Sequence, residues 1–195
     1  MKIILASKSE VRKKILDENN ITCEVIQSNV DEDQAKESLI AAGADPLLIS
    51  KNLAELKSVK VSSTHPDKVV LGADSVISLN NELINKPESR DDALHILKKL
   101  NNSIHYLISS VCICKNGKMI WNHTEKSELK MKNLNEEELK NYLKKIETKT
   151  LLSYGVYQVE ADGLSLFESI KGDINSIMGL PVKKIKEYLN IIKWK

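Results

Sequence analysis

The chain has 195 residues, 42% of them hydrophobic and 29% charged, proportions that suit a globular protein with a sizeable core. Its 29 Lys and Arg almost balance 27 Asp and Glu, for a formal net charge of +2, and basic and acidic residues interleave throughout. That pattern excludes the one-sided basic surface of a polynucleotide-binding protein, though not a small phosphorylated ligand. No apolar run approaches the roughly 18 residues that a membrane span needs, and the opening apolar stretch is too short for a signal peptide. The three cysteines, Cys23, Cys112 and Cys114, lack metal-site spacing and read as buried hydrophobes of a reducing, cytoplasmic protein.

Taken in chain order, residues 2–6 predict a short strand, and Ser7 or Ser9 then caps a helix that turns Val11, Ile15 and Leu16 inward. Residues 22–30 predict a second strand, and residues 33–42 a helix stopped by Gly43. Asp45 followed by Pro46 restarts a helix, with Leu48, Ile49, Leu53 and Leu56 as its expected core-facing stripe. An apolar burst at 68–71 runs into Gly72-Ala73-Asp74, and 76–79 leads to a turn at Asn80-Asn81. Ser89 opens a helix carrying Ala93, Leu94, Leu97 and Leu100. Residues 104–114 form a strand, Asn116-Gly117 a hairpin turn, and 118–130 the returning strand. Asn135 caps a helix through Ile146, short strands are expected at 156–159 and 164–170, and Gly179-Leu180-Pro181 launches the last helix. Helices alternating with strands, plus a hairpin, predict an α/β fold on a mixed sheet. With no repeat, low-complexity stretch or linker, residues 1–195 are expected to form one domain.

Chemistry needs polar groups at a ligand-binding edge. Asp74 follows the apolar 69–71 run and Gly72, where the pattern places the C-terminal end of a strand, the edge at which α/β sheets bind ligands. A carboxylate there can hold a divalent cation, orient a water, or serve only as a turn residue. Glu32, within Val30-Asp31-Glu32-Asp33, is either a second site carboxylate or part of a solvated helix start. Arg12 and Arg90 are the only arginines in a lysine-rich chain. Arg12 stands at a helix start, where a guanidinium fork and backbone amides can both face phosphate. Lys57 and Lys86 are two among many lysines, and spacing does not single them out. The four histidines lack metal-ligand pairing, and no nucleophile elbow, P-loop or dinucleotide fingerprint occurs. The residues by themselves point to an α/β protein with a carboxylate–cation phosphate site.

A wider pattern adds to this. Ile4-Leu5-Ala6-Ser7-Lys8-Ser9-Glu10-Val11-Arg12, Val30-Asp31-Glu32 and Ala54-Glu55-Leu56-Lys57 resemble the opening of the Maf family of nucleoside triphosphate pyrophosphatases. Gly72-Ala73-Asp74-Ser75-Val76 with Asn85-Lys86-Pro87 is similar to the family's Gly-Ala-Asp-Thr-Val and Gly-Lys-Pro pair. His105, Ser109 and Val111 resemble its His-x-x-x-Thr-Gly-Val strand, and Tyr157 to Glu160, Leu166-Phe167-Glu168, Gly172-Asp173 and Gly179-Leu180-Pro181 its closing segment.

The resemblance implies a twisted mixed sheet flanked by helices, as in Maf and ITPase proteins, with an active-site cleft between two lobes. It implies hydrolysis of a nucleoside triphosphate to monophosphate and pyrophosphate, removal of non-standard nucleotides as the role, and a homodimer. A non-catalytic, nucleotide-binding regulator of cell division on the same scaffold is the alternative. Carried over by position, Asp74 is the catalytic base, Glu32 and Asp74 hold Mg²⁺ or Mn²⁺, and Ser9, Arg12, Lys57 and Lys86 hold the phosphates. Val11, Ser75 and Glu160 fall where the family separates base preferences. The common Ser-Pro-Arg-Arg is Ser9-Glu10-Val11-Arg12 here, so one arginine is missing. A glutamate at 160 accepts but does not donate, which suits a base edge rich in donors, such as guanine N1–H and its 2-amino group.

Overall fold

The computed structural model of the chain describes residues 2–159 and 162–193. The first half runs β1 (Ile3–Leu5), α1 (Glu10–Glu18), β2 (Cys23–Val25), α2 (Glu32–Ala41), α3 (Pro46–Thr64), β3 (Val70–Leu79) and β4 (Glu82–Ile84). The second half runs α4 (Arg90–Leu100), β5 (Ile104–Lys115), β6 (Lys118–Met131), α5 (Glu136–Lys144), α6 (Thr148–Tyr154), β7 (Phe167–Lys171), α7 (Ile174–Ile177) and α8 (Val182–Lys193). A 3₁₀ turn at Asp162–Leu166 precedes β7. One seven-stranded sheet orders them β2-β1-β3-β5-β6-β7, with β4 paired to β3. β1 is parallel to β2 and β3, and every other pairing is antiparallel, so the sheet is mixed as expected.

Local chemistry sets the turns and caps. Asn80 and Asn81 at φ 52° and 64° close the β3–β4 hairpin, and Asn116 and Gly117 at 52° and 69° close β5–β6. Positive φ at both turn positions matches the twist of the paired strands. Ser9, Asp31, Asp45, Ser89 and Asn135 each accept a backbone N–H at the start of α1 to α5 in turn.

Two apolar cores occupy the two ends of the long strands. One gathers Leu5, Leu16, Leu71 and Ile113 with Leu180 and Ile185 around α8. The other gathers Leu97, Leu129, Leu143 and Phe167 among α4, α5 and α6. Between them the strands carry the buried polar residues Asp74, Ser109 and Ser110. This waist corresponds to the expected cleft between two lobes.

Several local expectations give way to tertiary packing. The second strand covers only Cys23–Val25, and the residues after Ile26 leave the sheet as a loop toward the waist. On α3 Ile49 and Leu53 are buried, but Leu48 and Leu56 are exposed. The buried face instead continues through Ser50, Ala54, Lys57, Ser58 and Ser62. Small side chains are required because α3 lies against the sheet: a Cβ on Gly72 would come within 2.2 Å of the Ala54 carbonyl oxygen. Residues 156–159 form no strand, and α6 is a helix that the sequence reading lacks. Among the described residues no helix is long and apolar enough to cross a membrane.

Candidate active site

The site begins with an interruption in one edge of β3. β1 pairs with β3 only as far as Leu71, and β4 begins to pair at Ile77. Residues 72–76 therefore have a strand neighbour on the β5 side alone. Asp74 sits here, in mid-strand opposite Ser110, rather than at a strand end as the sequence pattern suggested. The relevant end is that of β1, whose termination leaves Asp74 beside open space. A cavity of about 560 Å³ fills that space.

Asp74 is 5% exposed. Its Oδ1 accepts from Lys57 Nζ at 2.8 Å, while Oδ2 is buried with no hydrogen-bond partner among the described residues. Lys57, on the buried face of α3, also meets Glu32 Oε2 at 2.8 Å. One ammonium thus joins two carboxylates from three elements, α2, α3 and β3. Burial pushes the Glu32 carboxyl up, but the charge of Lys57 and the bond from it outweigh burial and hold it below the usual range.

Arg12 extends from the first turn of α1 into the interruption. Nε donates to Gly179 O at 3.0 Å, Nη1 to Ala73 O at 2.9 Å and Ser7 Oγ at 3.3 Å, and Nη2 to Ser75 Oγ at 3.1 Å. Four of the five N–H donors of its guanidinium are so committed. The planar fork inferred from the sequence grips backbone carbonyls and serines, and one N–H is left for a ligand. Gly179 makes this approach possible: its φ is +99°, and a Cβ there would lie 3.1 Å from Ser75 Oγ. Ser9 caps α1 through a 3.3 Å bond to Arg12 N and lines the cavity.

Lys86, two residues past β4, enters from the far wall and donates to Ser153 O at 2.8 Å. The surrounding walls, and then the charge of Arg12, lower its pKa from the ordinary lysine value, although its surface opens to solvent at the mouth. The cavity therefore receives Ser9, Arg12, Glu32, Lys57, Asp74 and Lys86 together. Val11 and Ser75 line it as well, with Ser75 Oγ held between Arg12 and Ser109 Oγ at 2.9 Å. Glu160 lies outside the described residues.

A profile of the Maf family, described as Maf-like protein, matches residues 2–192. The chain belongs to the Maf family. A protein of Pelagibacter ubique (strain HTCC1062) named nucleoside triphosphate pyrophosphatase is 60% identical over 98% of this chain and 98% of its own length. A Brucella abortus biovar 1 (strain 9-941) protein named 7-methyl-GTP pyrophosphatase is 35% identical, covering 93% of this chain and 92% of that one. A solved dITP/XTP pyrophosphatase from Mycobacterium abscessus is a distant likeness without functional weight, at a TM-score of 0.43 and 10% identity over 69% of this chain and 76% of that one.

Two cavity-lining features of this Maf protein escaped the sequence reading. Lys36 lines the cavity from α2, four residues after Glu32; the i, i+4 spacing on one helix face was the available signal. Residues 152–159 form another wall, of which 156–159 were expected as a strand. That wall is held from behind by His105, which is fully buried and meets the Tyr157 hydroxyl at 2.9 Å through Nε2. Burial lowers the His105 pKa to about 4 and raises that of Tyr157, so both are neutral near pH 7. Its place in the strand that resembles the family's His-x-x-x-Thr-Gly-Val was the available sequence signal.

Proposed function

We propose that the chain hydrolyses nucleoside triphosphates between the α and β phosphates, releasing a nucleoside monophosphate and pyrophosphate. The activity class agrees with the names carried by its full-length relatives. The observation that carries the mechanism is Asp74 Oδ2, a carboxylate oxygen that is buried, unpartnered among the described residues and beside the cavity. Such a group is expensive to keep unless it acts on something, and a water or cation is what it can accept from. A binding-only regulator has no use for it.

In this reading Asp74 accepts the proton of a water whose oxygen forms a bond to the α-phosphorus. The bond from that phosphorus to the α–β bridging oxygen breaks, and its electron pair leaves with pyrophosphate. Lys57 fixes Oδ1 and so aims Oδ2. Arg12 supplies charge and its remaining N–H to the phosphates while pinning α1, β3 and the Gly179 turn. Lys86 exchanges the Ser153 carbonyl for a phosphate oxygen, and Ser9 stands at the phosphate end of α1.

The donor set fits a hard divalent cation. Glu32 and Asp74 each have an oxygen 2.8 Å from the same Lys57 Nζ, so their carboxylates face one place, and Oδ2 is a free donor. No group of three or more His, Cys, Asp or Glu suited to a metal occurs among the described residues. Mg²⁺ or Mn²⁺ held by these two carboxylates would be completed by phosphates and water. When bound, the ion neutralises phosphate charge. Val11, Ser75 and Glu160 are proposed to set the base preference. All described strands share one sheet, which supports reading residues 1–195 as one functional unit.

The test is pyrophosphate release from a panel of triphosphates, run in ¹⁸O-water with Mg²⁺ or Mn²⁺. Attack at the α-phosphorus places the label in the monophosphate. Label in the pyrophosphate, or release of orthophosphate alone, would refute the reading.

A further inference from the structure

The cations around the cavity divide into committed and uncommitted ones. Lys57 lies between two carboxylates, and Arg12 is locked to backbone and serine oxygens. Neither is at liberty to follow a polyphosphate chain. Among the described residues, Lys86 is bonded to the neutral Ser153 carbonyl alone. Among the same residues, Lys36 is paired only with Asp33 Oδ1, 3.8 Å away, and that aspartate is 94% exposed while the Lys36 side chain is 23% exposed. A solvated pair of this kind holds a lysine weakly.

Lys36 shares a face of α2 with Glu32 and lines the cavity. Lys86 lines the same cavity, and the charge of Lys36 disfavours its ammonium. Two ammonium groups converging on one cavity repel each other until an anion lies between them.

We propose that Lys36 is a phosphate-binding residue which, with Lys86, clamps the pyrophosphate end of the bound triphosphate. The inference rests on the reading of the site as a triphosphate hydrolase. Asp74, Lys57 and Glu32 gather about the α-phosphorus in that reading, and Lys36 stands one helical turn beyond Glu32. The portion of the substrate left for it is the leaving group. Negative charge builds there as the bond breaks, where fixed cations help most.

Calorimetric titration of inorganic pyrophosphate with Mg²⁺ tests this without turnover. Wild type is compared with Lys36→Met, Lys36→Arg and Lys14→Met, the last removing the same charge from a side chain that is 73% exposed on α1. Kd should rise about tenfold in Lys36→Met, as for loss of one charged hydrogen bond. It should be largely restored in Lys36→Arg and unchanged in Lys14→Met. Tm should not move, because α2 buries no residue. Equal affinity in wild type and Lys36→Met, an equal loss in Lys14→Met, or no binding by wild type overturns the proposal. Triphosphate hydrolysis is scored separately: binding through Lys36 without hydrolysis would sink the proposed reaction and leave Lys36 in place.

Discussion

Helices α2 and α3 follow each other in the chain and bring charge to the same cavity, yet they are anchored in opposite ways. α3 buries Ile49, Leu53 and Val61 with a row of small residues against β3, and Lys57 is on that same buried face. α2 buries no residue at all. What holds it is polar: the Lys57–Glu32 pair at 2.8 Å and, just before it, the Lys60 ammonium on Asn29 O at 2.9 Å. Asp74 and Lys57 thus stand on the buried faces of β3 and α3. Glu32 and Lys36 stand on an element held by bonds that a ligand can replace. Segments with few buried contacts are the ones that open locally.

Lysine removal should separate the two helices most sharply. Lys57→Met leaves Asp74 and Glu32 facing each other without their shared cation, and should destabilise the fold by about 3 to 5 kcal/mol. Lys36→Met should change stability by less than about 0.5 kcal/mol. Urea denaturation of both variants checks the contrast, and equal losses would break it.

The wall formed by residues 152–159 is also anchored from behind, through His105. Its pKa is about 4 against an ordinary 6.5, so between those values the unfolded chain takes up a proton that the folded chain refuses. Stability from this group is complete above 6.5 and falls as pH drops through the window, by about 3 kcal/mol in all. His105→Gln should remove that part of the slope, as seen in denaturation at pH 7 and pH 4.5.

Backbone approach gives a third contrast. Gly72→Ala drives a Cβ to 2.2 Å from the Ala54 carbonyl oxygen of α3, whereas Gly43, between α2 and α3, has nothing within 4 Å. Gly72→Ala should destabilise by about 1 to 3 kcal/mol and lower kcat by shifting Lys57. Gly43→Ala should show only the strain of its +77° φ, about 1 kcal/mol, with kcat unchanged. The smallest effect is one of rate: amides of α2 should exchange with deuterium faster than those of α3 at neutral pH.

The sequence carried the α/β class, the Asn116-Gly117 hairpin, the Asn80-Asn81 turn and most helix starts, because Asn-Asn, Asn-Gly and Ser or Asp caps act over a few residues; the return strand β4 it did not carry. It could not place Asp74 in mid-strand, since the early end of β1 is a property of pairing. Nor could it choose the buried face of α3, where Ser50, Ser58 and Ser62 displace Leu48 and Leu56 because the sheet lies too close for large side chains. For the site, Asp74 and Glu32 were visible as carboxylates in distinctive settings. Lys57 and Lys86 needed the family resemblance, being lysines among many. The commitment of Arg12 to four protein oxygens, and the convergence of Lys36 on Lys86, arise from residues far apart in the chain and become visible only when it folds.

Asp74 Oδ2 is proposed as the oxygen that takes the proton. Asp74→Asn keeps the shape of the side chain and removes its basicity, while Lys57 retains Glu32. Steady-state turnover of the best triphosphate, measured beside the melting temperature, decides the matter. The expected result is a fall in kcat of about 10² to 10⁴ with a melting temperature within a few degrees of wild type. Turnover within about threefold of wild type, in a folded variant, would contradict it.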